Sequence, residues 1–297
     1  MNQKTLLSVV MITYGHEQYI RDAIDGVLMQ QCNFDFELIL ANDCSPDATD
    51  TVILEILKTH PKASKVRYIN HENNIGMMPN FIFALKQVHS NYIALCDGDD
   101  YWTDPYKLQK QVDFLEANPD YVLSFHKVKI LKPNGDLVED FITKVPENYA
   151  TQETLARLGN YIHTPSVVFR NVLNEFPFEF SMSPIGDYFL YMLLAEHGKL
   201  NYIDEEMAVY RAGVGIFSSQ SDVKIQSMII KQYASMLSYF KNEKINKIIL
   251  QRNFDIVNGN MMTLQKELSN NTLAKKKSYF DLIKIMIKKI TRYKINQ

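Results

Sequence analysis

One segment of the sequence joins a short apolar run to a cluster of acids: Tyr92-Ile93-Ala94-Leu95-Cys96-Asp97-Gly98-Asp99-Asp100-Tyr101-Trp102. The run from Tyr92 to Cys96 has the length and the residue types of a buried strand. Ligands collect at the carboxyl ends of the strands in an open α/β sheet. We therefore expect Asp97, Asp99 and Asp100 at the mouth of a binding site.

The close spacing of these acids predicts a metal ion. Like charges about 4 Å apart repel by roughly 4 kcal/mol at an effective dielectric constant near 20, so such a cluster usually needs a cation. Hard carboxylate oxygens suit Mg²⁺ or Mn²⁺, and these ions also bridge phosphate oxygens. The alternative is a plain surface turn, because Asp and Gly are ordinary turn residues.

Length and composition indicate a globular protein. The 297 residues are enough for one large core or two smaller ones, and 46% apolar with 22% charged residues exclude wholesale disorder. The net charge of −2 gives no general attraction to nucleic acid. Three cysteines without a CxxC pair predict a reducing compartment, and no basic-then-apolar leader opens the sequence. The protein is expected in the cytoplasm, or peripherally on the inner face of the cytoplasmic membrane.

Strands and helices alternate over the first hundred residues. Strands are expected at 6–13, 36–41, 66–69 and 92–96, and helices at 20–28, 51–57 and 76–88. This alternation predicts parallel pairing with helices on both faces of the sheet. The later patterns predict a helix after Pro105, a hairpin around 132–136, a strand at 166–169, a buried helix from Asp187, and helices over 222–268.

The last 26 residues differ from the rest of the chain. From Thr272 onward the sequence contains eight Lys or Arg residues and only one acidic residue, and apolar residues recur at three- and four-residue steps. A basic amphipathic helix is typical of a segment that lies on an anionic membrane surface. The alternative is a terminal helix that packs on its own domain or on a partner.

Four segments together resemble family 2 glycosyltransferases of GT-A fold: 8–14, 38–47, 73–80 and 92–102. These are inverting enzymes with nucleotide-sugar donors. The resemblance covers about the first 215 residues, and it is specific because the four strand-end motifs occur in order. The run Asp-Gly-Asp-Asp-Tyr-Trp-Thr-Asp-Pro is similar to bacterial members that make surface polysaccharides such as lipopolysaccharide or capsule.

The resemblance implies an α/β fold with a Rossmann-like, mostly parallel sheet, flanking helices and a C-terminal helical extension. Residues 1–220 are the expected GT-A catalytic domain. Within it, 1–102 form the nucleotide-sugar-binding half and 103–220 the acceptor-binding half. A helical extension over 221–271 and a basic amphipathic tail helix over 272–297 complete the chain.

The resemblance also assigns residues to the donor. Thr13 and Tyr14 match the edge that holds uracil, and Asp43 matches the acid that accepts a hydrogen bond from the uracil ring N–H. A loop and helix start that approach the donor match three residues: Asn73, Gly76 and Asn80. The alternatives are an ordinary strand-end aromatic at Tyr14 and a plain turn at 73–80.

For the metal and the diphosphate, Asp97 matches an acid that touches ribose or metal, and Asp99 matches the direct ligand of Mn²⁺ or Mg²⁺. Asp100 is expected to orient its neighbours. Arg211 resembles a residue of the loop that closes over the diphosphate, where it would make a bidentate phosphate contact. The alternative is a solvated surface arginine.

On the acceptor side, Asp187 matches the general base that takes the proton of the acceptor hydroxyl. The alternative is that Asp187 only caps its helix. Trp102, His163 and Thr164 are expected to line the acceptor or sugar wall, although a core position for Trp102 is the other interpretation.

The sequence departs from the family pattern at four places. Cys44 stands where a Gly is usual, and Gly186 replaces the Glu that often precedes the base. Residues 78–79 lack a basic side chain, and residues 212–213 lack a His. From the resemblance, Arg211 is therefore the single basic residue expected to bind the diphosphate.

The predicted function is transfer of a hexose or N-acetylhexosamine from a UDP-sugar to a hydroxyl of a glycan or lipid-linked oligosaccharide. A non-catalytic sugar-nucleotide-binding or assembly protein is the alternative from another class. A nucleotidyltransferase fits less well, since Tyr14-Gly15-His16-Glu17 is neither Gly-rich nor basic. The sequence does not select the sugar, the acceptor or the oligomeric state; the 222–268 helices are the candidate interface of a homo-oligomer.

Overall fold

The protein is described by a computed structural model over residues 5–215 and 220–270, the side chains of residues 222 and 260–270 excepted. The strands are β1 (Leu7–Thr13), β2 (Phe36–Asn42), β3 (Val66–Asn70), β4 (Tyr92–Leu95), β5 (Tyr101–Trp102), β6 (Tyr121–Leu131), β7 (Leu137–Glu139), β8 (Val168–Arg170) and β9 (Lys199–Arg211). The helices are α1 (Ile20–Leu28), α2 (Thr49–Thr59), α3 (Met77–Lys86), α4 (Lys107–Ala117), α5 (Gln152–Leu158), α6 (Phe178–Ser181), α7 (Asp187–Leu194), α8 (Asp222–Tyr239) and α9 (Glu243–Asn270).

The first half of the sheet is parallel, in the order β3-β2-β1-β4. Its strands are apolar on both faces because helices cover both faces. Val9 and Met11 of β1 belong to one core cluster with α1, α2 and α4, whereas Val10 belongs to the other with α3 and α7. This alternation follows the two-residue period of a strand. The predicted strand–helix alternation of the first hundred residues is confirmed.

The second half of the sheet mixes directions. β8 joins β4 and β6 by antiparallel pairing, β9 runs parallel to β6, and β5 pairs antiparallel with β9. The predicted hairpin is the β6–β7 pair. The expected α/β fold of GT-A type is confirmed, with its parallel pairings concentrated at the β3–β4 end.

Strand β9 is not predicted from the sequence. Its middle carries Asp204, Glu205 and Glu206, which are exposed and interrupt any apolar pattern. These acids pair with lysines instead: Glu206 lies 3.1 Å from the amine of Lys127, and Glu205 lies 2.5 Å from that of Lys110. Because charged residues on the solvent-exposed part of the sheet are paired with lysines, this 13-residue strand lacks the apolar pattern by which a strand is predicted from sequence.

The C-terminal helices complete the main core. Tyr233 and Met236 of α8, and Ile249 of α9, are buried in the same cluster as α7. Hydrogen bonds add to this contact, since Gln232 donates to the carbonyl of Ile185 over 3.0 Å. The helical prediction for 222–268 is confirmed, and these helices pack against the sheet domain. The predicted basic tail at 272–297 lies outside the described residues.

No helix in the described part of the chain has the length and apolar character needed to cross a membrane.

One charged side chain lies inside the core. Lys107, the first residue of α4, is 0% exposed, and its amine sits 4.1 Å from the centroid of the Trp102 ring. The amine has no hydrogen-bond partner among the described residues. Burial therefore lowers the pKa of Lys107 to about 7.

Candidate active site

The acidic segment turns back against the end of β1, and this contact needs a glycine. A Cβ atom on Gly98 would lie 2.7 Å from the hydroxyl oxygen of Thr13 and 2.8 Å from its Cβ. The N–H of Gly98 donates to the carbonyl of Ile12 over 3.0 Å. The glycine between Asp97 and Asp99 therefore lets both acids sit where the ends of β1 and β4 meet.

The segment 164–165 connects Asp187 to the end of the acidic segment. Thr164 contacts the carboxylate of Asp187, and the carbonyl of Pro165 accepts the indole N–H of Trp102. Burial raises the pKa of Asp97 well above its usual range, and the charges of Asp99 and Asp187 raise it further. The pKa of Asp100 is raised mainly by burial and then by Asp99.

The candidate base lies at the start of α7. One carboxylate oxygen of Asp187 accepts the N–H of the next residue, Tyr188, over 2.6 Å. Asp187 is the first residue of α7 and follows the N-cap residue Gly186, so this contact is not a capping bond to the second or third N–H of the helix. The other accepts hydrogen bonds from Asn160 at 3.0 Å and from Thr164 at 3.5 Å. Burial raises the pKa of Asp187 above its usual value, although these hydrogen bonds and nearby His163 oppose the shift. The alternative that Asp187 caps its helix is therefore wrong: Asp187 opens the first turn of α7, and Tyr188, Asn160 and Thr164 orient its carboxylate.

Arg211 holds the acidic segment in place. Its Nε donates to the carbonyl of Asp99 over 2.7 Å, and its backbone N–H donates to the carboxylate of Asp100 over 2.8 Å. The side chain is 8% exposed, and its remaining contacts are with one carboxylate and two aromatic rings: Asp22, Tyr19 and Tyr101. The alternative of a solvated arginine is therefore wrong, and the expected diphosphate clamp is occupied in orienting the acids.

The expected uracil edge lies at the ends of β1 and β2. Tyr14 is 43% exposed there. Thr13 is buried, and its hydroxyl oxygen lies 3.1 Å from Nδ1 of His16. Asp43 is buried as well, and its two oxygens accept the N–H groups of Ile75 at 2.7 Å and Gly76 at 2.9 Å. Asp43 therefore fixes the loop that follows β3, and it keeps lone pairs for a further donor.

Within that loop the predicted residues have different surroundings. Asn73 is exposed, and Gly76 has a φ angle of +94°, which favours glycine. Asn80 is 2% exposed, with its amide donating to the carbonyl of Ala41 and its oxygen 2.9 Å from a ring nitrogen of His71. The structure uses the Asn80 side chain inside the fold, where it supports the loop.

The remaining predicted residues divide between core and site. Trp102 is 2% exposed, its indole N–H donates to the carbonyl of Pro165 over 2.8 Å, and its ring belongs to the core. The expectation that Trp102 lines a sugar wall is therefore wrong, and the core interpretation holds. Thr164 contacts Asp187, while His163 lies 2.9 Å from the carboxylate of Asp140.

Comparison with known proteins settles the family. Residues 8–176 match the family model described as Glycosyl transferase family 2. The chain belongs to this family. The resemblance to family 2 glycosyltransferases of GT-A fold seen in the sequence is confirmed.

Curated relatives of this glycosyltransferase are microbial. An uncharacterized protein of Mycobacterium tuberculosis is 38% identical over 206 residues, which cover 69% of this chain and 58% of the relative. An uncharacterized glycosyltransferase of Methanocaldococcus jannaschii is 27% identical over 248 residues and covers 81% of both chains. The chain thus spans little more than half the length of the mycobacterial relative.

Solved structures share the fold. S. aureus TarS 1–349 in complex with UDP-GlcNAc has a TM-score of 0.59 at 18% identity, over 84% of this chain and 73% of that one. A mannosyltransferase from Pyrobaculum calidifontis, in complex with GDP-Man and Mn²⁺, has a TM-score of 0.62 at 13% identity, over 98% and 83%. At these identities the likeness establishes the glycosyltransferase fold.

Two departures from the family pattern have physical reasons in this glycosyltransferase. Cys44 adopts φ +56°, a left-handed conformation that glycine adopts without strain, which explains why Gly is usual there. Gly186 faces the core, where a Cβ atom would lie 2.8 Å from Cδ1 of Phe81 and 3.0 Å from the sulfur of Met78. The usual Glu has no room at this position.

We expect Gly186→Glu to lower the free energy of unfolding by more than about 3 kcal/mol, because it forces a carboxylate against an aromatic core. Urea unfolding followed by circular dichroism measures the change. Gly259→Glu is the matched control: a Cβ at Gly259 meets nothing within 4 Å, and replacing a helical glycine there should raise stability slightly. Equal effects of the two substitutions would contradict the assigned packing.

The sequence did not indicate two residues around the candidate base, Asp187. Asn160, an exposed loop residue, donates to Asp187, and no sequence pattern marks it. Tyr191 lies one helical turn after Asp187 and is 0% exposed. Burial raises the pKa of Tyr191 and Asp187 raises it further, and the Tyr191 hydroxyl has no hydrogen-bond partner among the described residues. The i, i+4 spacing from Asp187 was the available signal for Tyr191.

The acidic residues fit the metal ion that the resemblance implies. Among the residues that the structure describes, no group of three or more His, Cys, Asp or Glu side chains converges on a metal position. Mg²⁺ and Mn²⁺ at phosphate sites need only one or two carboxylates, because phosphates and water complete the shell. Asp97 and Asp99 supply two hard carboxylates whose repulsion a cation relieves, as the raised pKa of Asp97, due to burial and then to Asp99, indicates.

Proposed function

We propose that this glycosyltransferase moves a hexose or N-acetylhexosamine from a UDP-sugar to a hydroxyl of a glycan or lipid-linked oligosaccharide, with inversion at the anomeric carbon. The observation that carries the proposal is the connection of Asp187 to the end of the acidic segment through Thr164, which contacts Asp187, and Pro165, which accepts the indole N–H of Trp102. A binding protein needs no proton acceptor opposite a diphosphate site, whereas a transferase does. Asp187 is the general base in this proposal.

On the donor side, the nucleotide lies along the strand ends that carry Thr13, Tyr14 and Asp43. Asn73 and Gly76 form the loop that approaches the donor. Asp97 and Asp99 would hold Mn²⁺ or Mg²⁺, which neutralises charge on the departing diphosphate when bound. Arg211 contributes by orienting Asp99 and Asp100.

On the acceptor side, Asp187 removes the proton from the attacking hydroxyl. That oxygen bonds to the anomeric carbon from the face opposite UDP, the bond to UDP breaks, and its electron pair leaves with the diphosphate. Burial favours this role because it raises the pKa of Asp187 and so increases its proton affinity. Asn160 and Thr164 hold the second carboxylate oxygen in position.

Structural neighbours support a nucleotide-sugar donor without selecting it. TarS was crystallised with UDP-GlcNAc, and the Pyrobaculum mannosyltransferase with GDP-Man and Mn²⁺. Our preference for UDP rests on Asp43, whose carboxylate suits the ring N–H of uracil.

The proposal is tested by a donor screen. Purified full-length protein is incubated with UDP-glucose, UDP-galactose, their N-acetyl forms and GDP-mannose, with Mn²⁺, Mg²⁺ or EDTA, and nucleotide release is measured. We expect release of UDP from one sugar class, lost with EDTA, and an inverted anomeric configuration in the product by NMR. Release of GDP instead, or retention of configuration, would contradict the proposal.

Three further points belong to the proposal. Peripheral membrane contact through residues 272–297, a role in lipopolysaccharide or capsule synthesis, and homo-oligomers through α8 and α9 remain predictions. The division into a donor half over 1–102 and an acceptor half over 103–220 is likewise a prediction. Deleting 272–297 and measuring binding to vesicles of anionic phospholipid tests the first.

A further inference from the structure

A cavity of about 370 Å³ lies between β6, β9 and the segment 140–149. Its walls include three tyrosines, two acids and a histidine: Tyr149, Tyr161, Tyr202, Asp140, Asp204 and His163. The volume falls at the small end of the roughly 300–1,000 Å³ typical of ligand sites, so it suits one or two sugar rings and not a long chain. None of the residues assigned to the donor lines it.

The tyrosine walls are held by the fold. Tyr161 donates to the carbonyl of Tyr149 over 2.6 Å. The buried ring of Phe125 contacts all three tyrosine rings, at centroid distances of 6.0, 6.1 and 5.2 Å for Tyr149, Tyr161 and Tyr202. Aromatic faces fixed in this way offer apolar surface for the C–H groups of a ligand at little cost in ordering.

The charges of the cavity disfavour phosphate. The cavity is lined by three acidic residues and one lysine: Asp140, Glu147, Asp204 and Lys127. That lysine is already paired, since its amine lies 2.7 Å from Glu139 and 3.1 Å from Glu206. A diphosphate or an anionic lipid headgroup would therefore meet net negative charge.

The polar groups of the cavity instead suit hydroxyl donors. Asp140 is occupied within the fold: its oxygens accept the N–H groups of Ile142 and Thr143 and the Thr143 hydroxyl, and one lies 2.9 Å from the ring of His163, so Asp140 orients this wall of the cavity. Asp204 is exposed and accepts the hydroxyl of Tyr202 over 3.2 Å. Aromatic faces beside ionised carboxylates match a ligand with C–H faces and hydroxyl edges, which is the surface of a neutral sugar.

The cavity adjoins the candidate base. His163 lines the cavity, and the next residue, Thr164, contacts Asp187. The ring of His163 also packs 4.9 Å from that of Tyr210, which precedes Arg211. The cavity and the candidate base are therefore connected through the neighbouring residues His163 and Thr164.

We propose that this cavity holds a neutral sugar residue of the acceptor and so selects an uncharged glycan end over a phosphorylated one. The inference rests on the proposed function, because it assigns the acceptor of the same reaction. It goes beyond it in naming Tyr202, Asp204 and Tyr149 as the residues that recognise the acceptor.

The test measures binding without turnover. Saturation-transfer NMR is recorded on the full chain with the methyl glycosides of glucose, galactose and N-acetylglucosamine, and with glucose 6-phosphate as the anionic probe. Calorimetry with UDP and Mn²⁺ reports on the donor site separately. The variants are Tyr202→Ala, which removes an aromatic wall, and Asp204→Ala, which changes an exposed residue and leaves the core intact. Tyr106→Ala, at a tyrosine that is 49% exposed and outside the cavity, is the matched control.

We expect at least one methyl glycoside to bind the unmodified protein and the phosphorylated sugar to bind more weakly. Tyr202→Ala should weaken glycoside binding about tenfold, Asp204→Ala about threefold, and neither should change UDP binding. Tyr106→Ala should change neither. Glycoside binding that persists unchanged in both cavity variants, absence of binding to the unmodified protein, or preference for glucose 6-phosphate would overturn the proposal.

The two proposals fail in different ways. If no nucleotide-sugar is cleaved but glycoside binding depends on Tyr202, the cavity is a sugar site and the proposed transfer is wrong. If UDP-sugars are consumed while the cavity variants leave glycoside binding and the acceptor KM unchanged, the transfer stands and the cavity assignment is wrong.

Discussion

Asp187→Asn is expected to lower the kcat of sugar transfer by about 10²–10⁴-fold, because the amide cannot take the proton of the acceptor hydroxyl. The substitution keeps the size of the side chain and leaves an oxygen for the N–H of Tyr188. The fold and the affinity for UDP should therefore be retained. UDP release gives the rate, and calorimetry gives UDP binding.

Asp113→Asn is the control for this substitution, since it makes the same chemical change on an exposed face of α4. It should leave kcat unchanged. The pH profile adds a second readout: because burial raises the pKa of Asp187, the rate should fall on acidification at a higher pH than for an ordinary Asp. A kcat for Asp187→Asn within threefold of the unmodified enzyme would remove Asp187 from the mechanism.

The second large effect concerns stability and its pH dependence. Lys107→Met is expected to raise the free energy of unfolding by roughly 2–4 kcal/mol below pH 7, since an apolar chain of similar length replaces a buried, unpaired amine. The face of Trp102 favours the ammonium form by about 2 kcal/mol at most, less than burial disfavours it. The lowered pKa of Lys107, about 7 and caused by burial, reflects this balance.

The sign of the pH effect follows from the proton count of each state. Below pH 7 both folded and unfolded chains carry the Lys107 proton, so the full burial cost is present. Between pH 7 and the usual pKa near 10.5, the folded chain has lost the proton that the unfolded chain retains, so stability rises with pH. The advantage of Lys107→Met should therefore shrink across this range.

Urea unfolding of the unmodified protein and of Lys107→Met is measured at several pH values between 6 and 10. The difference between their free energies of unfolding isolates Lys107, because the contributions of other titrating groups cancel. Lys110→Met is the control from the same helix, because its amine is exposed to solvent and paired with Asp104 at 2.7 Å. That substitution should be neutral or slightly destabilising. A constant difference for Lys107→Met over the whole range would show that Lys107 stays protonated in the folded chain.

Apolar periodicity predicted the first half of the sheet because β1, β2 and β4 are buried on both faces and allow few polar residues. It missed β9, whose central acids are satisfied by lysines of β6 and α4. That information is absent from the local sequence, since the partners lie about 70–100 residues away.

Site residues were predictable where a chemically distinctive side chain stands at a position fixed by the backbone, such as the end of a strand. The acids at the end of β4 and Asp187 are expected and lie together, and Gly98 is explained by its contact with Thr13. The resemblance assigned Arg211 and Trp102 to ligand contacts, whereas the structure shows Arg211 ordering the acidic segment and Trp102 filling the core. A matching motif does not reveal which way a side chain turns within the fold.

The length of β9 limits how this enzyme can be re-engineered. The strand carries Tyr202 and Asp204 near one end and Arg211 at the other, a span of roughly 23 Å from residue 204 to residue 211 at about 3.3 Å per residue. Adding or removing one residue would turn every following side chain to the opposite face. Chimaeras that exchange this strand between relatives should therefore transplant Lys199–Arg211 as one uninterrupted block, or they will also displace Arg211, which holds Asp99 and Asp100.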